Sequence, residues 1–217
     1  MPETFSPTER TRVVREPHRG SYDRETIYKI LDEGFVCHVG FTIDSQPYVI
    51  PTLFARVGDA IYFHGSAASR MLRGAASGIP VCITVTLVDG LVLARSVFNH
   101  SMNYRSVVAL GTATLVDQPD EKLAALHAFT EKIVPSRWND VRQPSEKELK
   151  ATSILRLPLT EVSAKMRSGP VKDDEEDYAL PIWAGVVPLH LQAEAPIRDE
   201  CCDPAIPVPP YAAHYIR

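Results

Sequence analysis

The chain has 217 residues, of which 45% are hydrophobic and 23% are charged, and its formal net charge is −4. This hydrophobic fraction is typical of a globular protein with a packed core. The negative charge and the lack of a basic stripe argue against nucleic-acid binding. No apolar run approaches the ~20 residues of a membrane span, and the N-terminus lacks the apolar core of a signal peptide. We therefore expect a cytoplasmic protein with neither nucleic-acid nor membrane partners.

The chain begins with a polar segment and a short helix. Residues 1–22 are predicted to form an N-terminal arm, and Asp23 is predicted to start a helix that Gly34 ends. Three apolar side chains fall on one face of this helix: Ile27, Ile30 and Leu31. An apolar strand, Phe35–Phe41, follows the helix.

The most informative stretch runs from Pro47 to Met71, with the sequence PYVIPTLFARVGDAIYFHGSAASRM. Its β-branched, aliphatic and aromatic residues predict two strands joined by a Gly-Asp turn. The second strand ends at His64 and Gly65, and a helix over Ala67–Ala76 is predicted to follow.

The start of that helix has the features of an anion site. Backbone N–H groups in a first helical turn have no intrahelical partner, and the helix dipole is positive there. Ser66 is placed to cap the helix, and Ser69 and Arg70 lie about one turn further on. The stretch therefore predicts a phosphate site. The alternative is an ordinary hairpin followed by a capped surface helix with a solvated Arg70.

The next segments predict more antiparallel strands. Val81–Val88 is almost entirely β-branched, and Asp89-Gly90 predicts a tight turn into Leu91–Arg95. Ser106–Val116 returns to a strand pattern. Six or so strands with short turns favour a closed or partly closed barrel.

The C-terminal half adds helices and a last strand. Pro119 opens a helical region, and Ser145 with Glu148 forms a capping box for another short helix. Thr152–Met166 is predicted to be a strand with an interruption at Pro158. A barrel domain is thus expected over residues 23–193, with a Pro-rich tail over residues 194–217.

Hydrolytic and metal-binding motifs are missing from the sequence. It contains no G-x-S-x-G, H-E-x-x-H, P-loop or G-x-G-x-x-G motif. The four cysteines are Cys37, Cys82 and the adjacent Cys201 and Cys202, and none has the spacing of a zinc site. A cofactor site remains as the source of chemistry.

Four segments together resemble a known family: PYVIPTLF, IYFHGSAASR, HSMNYRSVVALGTA and LPIWAGVVPL. In this order and spacing they are similar to the flavin-binding split barrels related to pyridoxamine 5'-phosphate oxidase, nearest the branch that contains the nitroimidazole reductases. The resemblance covers roughly Arg24 to Leu191. It implies a mainly β, six-stranded antiparallel Greek-key split barrel that forms a homodimer, with FMN in a cleft at the subunit interface.

The resemblance also implies which residues contact FMN. Positions that match the family's contacts to the flavin ring are Val49, Pro51 and Thr52. Positions that match its phosphate-binding turn are His64, Gly65, Ser66, Ser69, Arg70 and Met71. Positions that match a strand start beside the flavin and an aromatic that covers it from the other subunit are Tyr104, Arg105, Ser106 and Trp183.

Two departures from the family pattern matter. Met71 stands where the oxidases have a lysine, so a phosphate cation is missing, and Arg105 or Lys165 would have to replace it. Trp183 is followed by Ala184 and Gly185, whereas the vitamin B6 oxidases have a Trp-Arg ending that helps to bind pyridoxal phosphate. The sequence therefore argues against a vitamin B6 oxidase.

The leading hypothesis is an FMN-dependent oxidoreductase that passes electrons from NADH or NADPH to a small oxidised acceptor. Arg105 would stabilise the reduced flavin. His64 would donate a proton or contact the substrate, or it would only bond phosphate or backbone. The alternatives are a non-catalytic flavin- or haem-binding module, with His64, His38 or His100 as an iron ligand, and an empty barrel that serves as an interaction protein.

Overall fold

The computed structural model describes residues 3–66 and 78–216. The protein is mainly β, and every strand pair is antiparallel. The strands of the described part are β1 Gly20–Ser21, β2 Val36–Ile43, β3 Gln46–Val57, β4 Ala60–Ser66, β5 Ile79–Leu93, β6 Ser101–Leu115, β7 Thr152–Pro158, β8 Glu161–Arg167 and β9 Gly185–Pro188. Its α-helices are α1 Arg24–Glu33, α2 Pro119–Ile133, α3 Glu146–Ala151 and α4 Pro210–Ala213, with 3₁₀ turns at Pro17–Arg19, Trp138–Asp140 and Glu175–Ala179.

Six of these strands close into a barrel. The sheet order is β1-β8-β6-β7-β4-β3-β2-β5-β9, and β6 also pairs with β5. The extra pairing closes a ring of β6, β7, β4, β3, β2 and β5, while β8, β1 and β9 extend from it. The predicted mainly β, antiparallel split barrel is therefore confirmed.

The helix α1 forms as its sequence predicts. The Asp23 carboxylate accepts a hydrogen bond from the Thr26 backbone N–H at 2.8 Å, which caps the first turn. The three apolar side chains of its predicted inner face are fully buried in the barrel core: Ile27, Ile30 and Leu31. Burial of this face attaches α1 to the barrel.

Gly34 ends α1 for a steric reason. Its φ of −72° is accessible to any residue, so the left-handed conformation of a typical C-terminal glycine is not involved. A Cβ atom on Gly34 would instead lie 2.5 Å from Cγ1 of the buried Val85 in β5. The glycine therefore allows the chain to cross β5 at close range as it enters β2.

A second core lies outside the ring, between the sheet and α2. Ala125 and Phe129 of α2 pack on Tyr62 of β4 and Ile154 of β7. The capping box predicted for α3 is also formed by Ser145 and Glu148. No helix in the described part of the chain is both long and apolar enough to cross a membrane.

The predicted turn at Asp89-Gly90 is wrong. β5 continues through this point to Leu93, with a β-bulge between Val88 and Gly90. A tight turn would have ended the pairing, but β6 accompanies β5 on both sides of the bulge, from Ala113 back to Ser101. The extra residue is absorbed as a local irregularity.

The interruption predicted at Pro158 divides Thr152–Met166 into two strands that pair with different stretches of β6. β7 ends at Pro158 and also pairs with β4, whereas β8 begins at Glu161 and also pairs with β1. Since proline cannot donate a ladder hydrogen bond, Pro158 suits the end of β7.

The N-terminal segment contacts the barrel, and the C-terminal tail contacts the end of α2 and the residues that follow it. Phe5 is 4% exposed, and the Thr8 hydroxyl donates to the Glu161 carboxylate at 2.8 Å. In the tail, the Tyr215 hydroxyl donates to the Ile133 carbonyl at 2.7 Å, and Arg137 donates to the Tyr211 hydroxyl at 2.7 Å. The predicted arm and tail are thus packed segments.

We expect Gly34→Ala to destabilise the fold by about 1–3 kcal/mol, because the new methyl group overlaps Val85 in a packed core. The measurement is urea unfolding at pH 7.5. In the double variant Gly34→Ala/Val85→Ala the overlap is removed, so its loss should be smaller than the sum of the two single losses. Additive losses, or a Gly34→Ala variant within ~0.5 kcal/mol of the wild type, would contradict this account.

Candidate functional site

The barrel opens where β3 and β4 part. The two strands pair only from Phe54–Val57 to Ala60–Phe63, and from His64 onward β4 pairs with β7 alone among the described strands. Over Gln46–Leu53, β3 is paired with β2 on one edge, and the described residues supply no strand for its other edge. Backbone groups on such an edge need a partner, which a bound ligand can provide.

The side chains of this part of β3 present an apolar surface. Val49 is 66% exposed and Ile50 is 37% exposed, and Pro51 is also exposed. The Thr52 hydroxyl spans the opening and donates to the His64 carbonyl at 3.4 Å. A planar, largely apolar ring would suit these exposed apolar side chains.

His64 lies at the mouth of the opening and is half-buried. Its ring centroid is 4.9 Å from that of Phe129 on α2, and its buried Nδ1 has no hydrogen-bond partner. Burial lowers the pKa of the imidazole, so His64 is held neutral near pH 7. A buried polar atom without a partner is uncommon in proteins and points to a missing water or ligand.

The phosphate-binding residues are only partly described. β4 continues to Ser66, and the backbones of Gly65 and Ser66 pair with Ser153 and Thr152 of β7. The predicted helix over 67–76, and with it Ser69, Arg70 and Met71, lies outside the described residues. The assignment of this segment to a phosphate stays a prediction.

Arg105 lies elsewhere and is fully engaged. Its guanidinium donates to the Asp89 carboxylate at 2.7 and 3.0 Å and to the Glu33 carboxylate at 2.7 Å, with a second bond to Glu33. The hydrogen bonds to Glu33 and Asp89 raise the pKa of Arg105. The hydrogen bonds that Glu33 accepts from Arg105 lower the pKa of Glu33. Two carboxylates outweigh one guanidinium, so this geometry gives no support to Arg105 as the missing cation or as a positive charge beside the flavin.

The remaining predicted contacts are spread over the surface. Ser106 donates its hydroxyl to the Lys165 carbonyl at 3.0 Å, and the Lys165 ammonium donates to the Arg15 carbonyl at 2.9 Å. Tyr104 pairs in the ladder with Val88. Trp183 is 68% exposed, and its predicted role of covering a flavin from the other subunit stays a prediction.

A cavity of about 470 Å³ adjoins this region on the same face of the barrel. Glu33, Asp89 and Arg105 form one part of its lining, and His38 and His190 are also in it. The sequence does not predict this cavity, because Asp89 is there expected only in a tight turn and His190 belongs to none of the four family motifs. Its one signal is a histidine between two leucines after β9.

His38 connects the cavity with the opening. It pairs with Pro51 of β3 on one side and with Thr84 of β5 on the other. Directly opposite residues in a ladder project their side chains to the same face, with Cα atoms roughly 5 Å apart. The imidazole therefore lies beside the exposed apolar surface of β3.

Comparison with known proteins identifies relatives. A family profile described as pyridoxamine 5'-phosphate oxidase matches residues 23–166. The structure of the flavocytochrome Anf3 from Azotobacter vinelandii is 40% identical over 97% of this chain and 98% of that chain, with a TM-score of 0.90. The structure of an FAD- and haem-binding protein from Mycobacterium smegmatis is 37% identical over 89% of this chain and 95% of that chain, with a TM-score of 0.85.

More distant matches show the fold alone. A putative 5-nitroimidazole antibiotic resistance protein from Bacteroides thetaiotaomicron is 23% identical over 67% of this chain and 85% of that chain, with a TM-score of 0.57. No curated protein matches the chain.

We expect His64 to make stability depend on pH. Its pKa in the folded state is below the unfolded value of ~6.5, so below that pH the unfolded chain binds more protons at this site and stability falls. In urea unfolding without added cofactor, wild type and His64→Gln should differ by a constant amount above about pH 7.5. Below about pH 6.5 the wild type should lose stability faster than the variant. Parallel pH profiles would show that His64 is not held neutral by burial.

Proposed function

This chain belongs to the pyridoxamine 5'-phosphate oxidase family, as its motifs predicted, and we propose that it is a flavin-binding redox protein that also binds haem. The observation that carries the proposal is the match, at 40% and 37% identity over most of the chain, to a flavocytochrome and to an FAD- and haem-binding protein. Both matches extend over most of this chain and most of the matched chain.

The opening between β3 and β4 is the proposed flavin site. Val49, Pro51 and Thr52 would lie along the ring, with backbone groups of these residues bonding its polar atoms. The neutral His64, with its unpartnered Nδ1, would bond to the cofactor or hold a proton beside it. The phosphate would lie beyond Ser66, in the segment with Ser69 and Arg70.

The motifs favour FMN as the flavin, whereas the Mycobacterium smegmatis protein, at 37% identity, is described as binding FAD. That description makes FAD the second candidate. Extraction of the flavin from the purified protein and chromatography against FMN and FAD standards decides between them.

A bound flavin and haem would together supply electron transfer from a reduced nicotinamide to a small oxidised acceptor. The protein itself would bind and orient the two cofactors and exclude water from them. Cys37 takes no part, because burial raises the pKa of its thiol to about 12. Pyridoxamine phosphate is not the proposed substrate, since Trp183 is followed by Ala184 and Gly185 and so lacks the arginine of the Trp-Arg ending in the vitamin B6 oxidases.

A homodimer forms part of the proposal. The exposed face of β2 and β3 carries Val36, which is 48% exposed, and Val49, which is 66% exposed. Trp183, just before β9 in the sequence, is also exposed. A second copy of the chain over this face would bury these side chains and shield a flavin from water. Light scattering with size-exclusion chromatography should give twice the monomer mass; a monomer would refute the shared site.

Substitution of Val49 tests the flavin site. We expect Val49→Arg to weaken flavin binding at least about tenfold, because a charged side chain would stand on the surface that the ring covers. Val57→Arg is the matched control: the same change at an exposed valine of the same strand, 42% exposed, outside the opening. Flavin affinity is measured by fluorescence titration, with stability checked by thermal unfolding. Equal affinities in the two folded variants would place the flavin elsewhere.

Reduction kinetics test the redox role. Steady oxidation of NADH or NADPH by the flavin-loaded protein with an added acceptor, a nitroimidazole among those tried, would support an oxidoreductase. A protein that retains flavin and haem but shows no reduction by either nicotinamide would favour the non-catalytic binding module instead.

A further inference from the structure

We propose that the cavity between β2 and the segment after β9 is the haem site and that His38 and His190 are the two axial ligands of the iron. This inference rests on the proposed function, because only the relatives indicate haem. The residues that form the site, however, are all part of this chain and are described by the structure.

The cavity arises because one edge of β5 is only partly covered. β6 occupies one edge of β5 along almost its whole length. On the other edge, β2 pairs with Cys82–Thr84 and β9 pairs with Gly90–Leu93. Between these two pairings no described strand covers Val85–Asp89, and the cavity of about 470 Å³ lies at this gap.

The two histidines lie at opposite ends of the gap. His38 is opposite Thr84, while the Leu189 backbone N–H, one residue before His190, donates to the Asp89 carbonyl at 3.1 Å. Four to five residues of β5 separate the two levels, or about 15 Å at ~3.3 Å per residue. Two imidazoles that reach one metal from opposite sides span a backbone separation of this order.

Both imidazoles are free to bind. Neither imidazole makes a side-chain hydrogen bond or ion pair with another described residue, and both residues are exposed and line the cavity. Neutral imidazole is a common iron ligand in haem proteins. The other candidates are less suitable: His100 has Nδ1 at 2.8 Å from the Ser96 carbonyl, and His64 packs on Phe129.

The walls differ in polarity. Phe35, Val36, Leu189 and Leu191 provide apolar surface for the porphyrin ring. The opposite wall holds the Glu33–Arg105–Asp89 cluster, whose net charge is negative because two carboxylates face one guanidinium. The haem carboxylates would therefore be repelled from this wall and point to solvent.

The position suits electron exchange with a flavin. His38 and Pro51 are directly opposite in the β2–β3 ladder, so an iron bound to His38 would lie beside the strand proposed for the flavin ring. One cofactor on each of two neighbouring strands gives a short path between them. This proximity follows from register alone.

The test is haemin binding by the full-length chain, followed by absorption and electron paramagnetic resonance spectra. Wild type should bind one haemin per chain with a six-coordinate, low-spin spectrum. His190→Ala and His38→Gln should each become high-spin, and exogenous imidazole should restore the low-spin spectrum. The double variant should lose haemin affinity at least about tenfold.

His100→Ala is the control, because it removes a surface histidine outside the cavity and should leave the spectrum unchanged. Flavin binding and thermal unfolding of each variant show whether it has folded. Because His190 follows β9 at the exposed surface, His190→Ala still tests the ligand assignment if His38→Gln fails to fold. Low-spin haem in both single variants would overturn the ligand assignment and leave haem binding intact. A wild type that binds no haemin stoichiometrically would instead refute the haem part of the proposed function.

Discussion

The parting of β3 and β4 after the pair Phe54 and Phe63 is the constraint on which the rest of this protein depends. The buried phenylalanines hold the two strands together at one end, and the pairing of β4 with β7 draws its other end away. The first half of β3 then pairs with β2 on one edge, and no described strand pairs with its other edge. A sheet edge in a folded protein requires a partner or protection, and a cofactor with a polar rim satisfies both needs. The proposed flavin site is thus a consequence of strand pairing, and the side chains at the opening adjust its chemistry.

The second organising contact is the double ion pair of Arg105. It joins the last residue of α1, Glu33, to the bulge residue Asp89 of β5 and to β6, three elements that are distant in sequence. The side chain of Arg105 is 27% exposed and those of its partners are more so, so solvent screens these pairs and their contribution to stability is modest. Their geometric effect is larger, because they hold together Glu33, Asp89 and Arg105, which form one part of the cavity lining. The residue that the family resemblance placed beside the flavin therefore shapes the neighbouring site.

Local sequence patterns correctly predicted the features that depend on interactions between residues close in sequence. The Asp23 cap, the buried face of Ile27, Ile30 and Leu31, and the capping box of Ser145 and Glu148 all formed where expected. The four family motifs indicated the split barrel correctly: three of them lie on the ring strands β3, β4 and β6, and the fourth contains β9, which extends the sheet beside β5. The predicted turn failed because long-range pairing overrides a local signal: β6 carries β5 straight through Asp89-Gly90. The cavity could not be predicted for the same reason: His38 and His190 line one cavity only because β2 and β9 both pair with β5.

The two proposed sites share one face of the barrel, and this determines how the protein would assemble. Exposed Val36 and Val49, on β2 and β3, lie beside His38 and Pro51 in the same ladder. An open face of this kind would leave both a flavin and a haem in water, where a reduced cofactor reacts readily with solvent and oxygen. Coverage by a second copy would bury apolar surface at ~25 cal/mol per Å² and at the same time dry both sites. In this arrangement dimerisation and cofactor binding stabilise each other, since each covers a surface that the other leaves exposed.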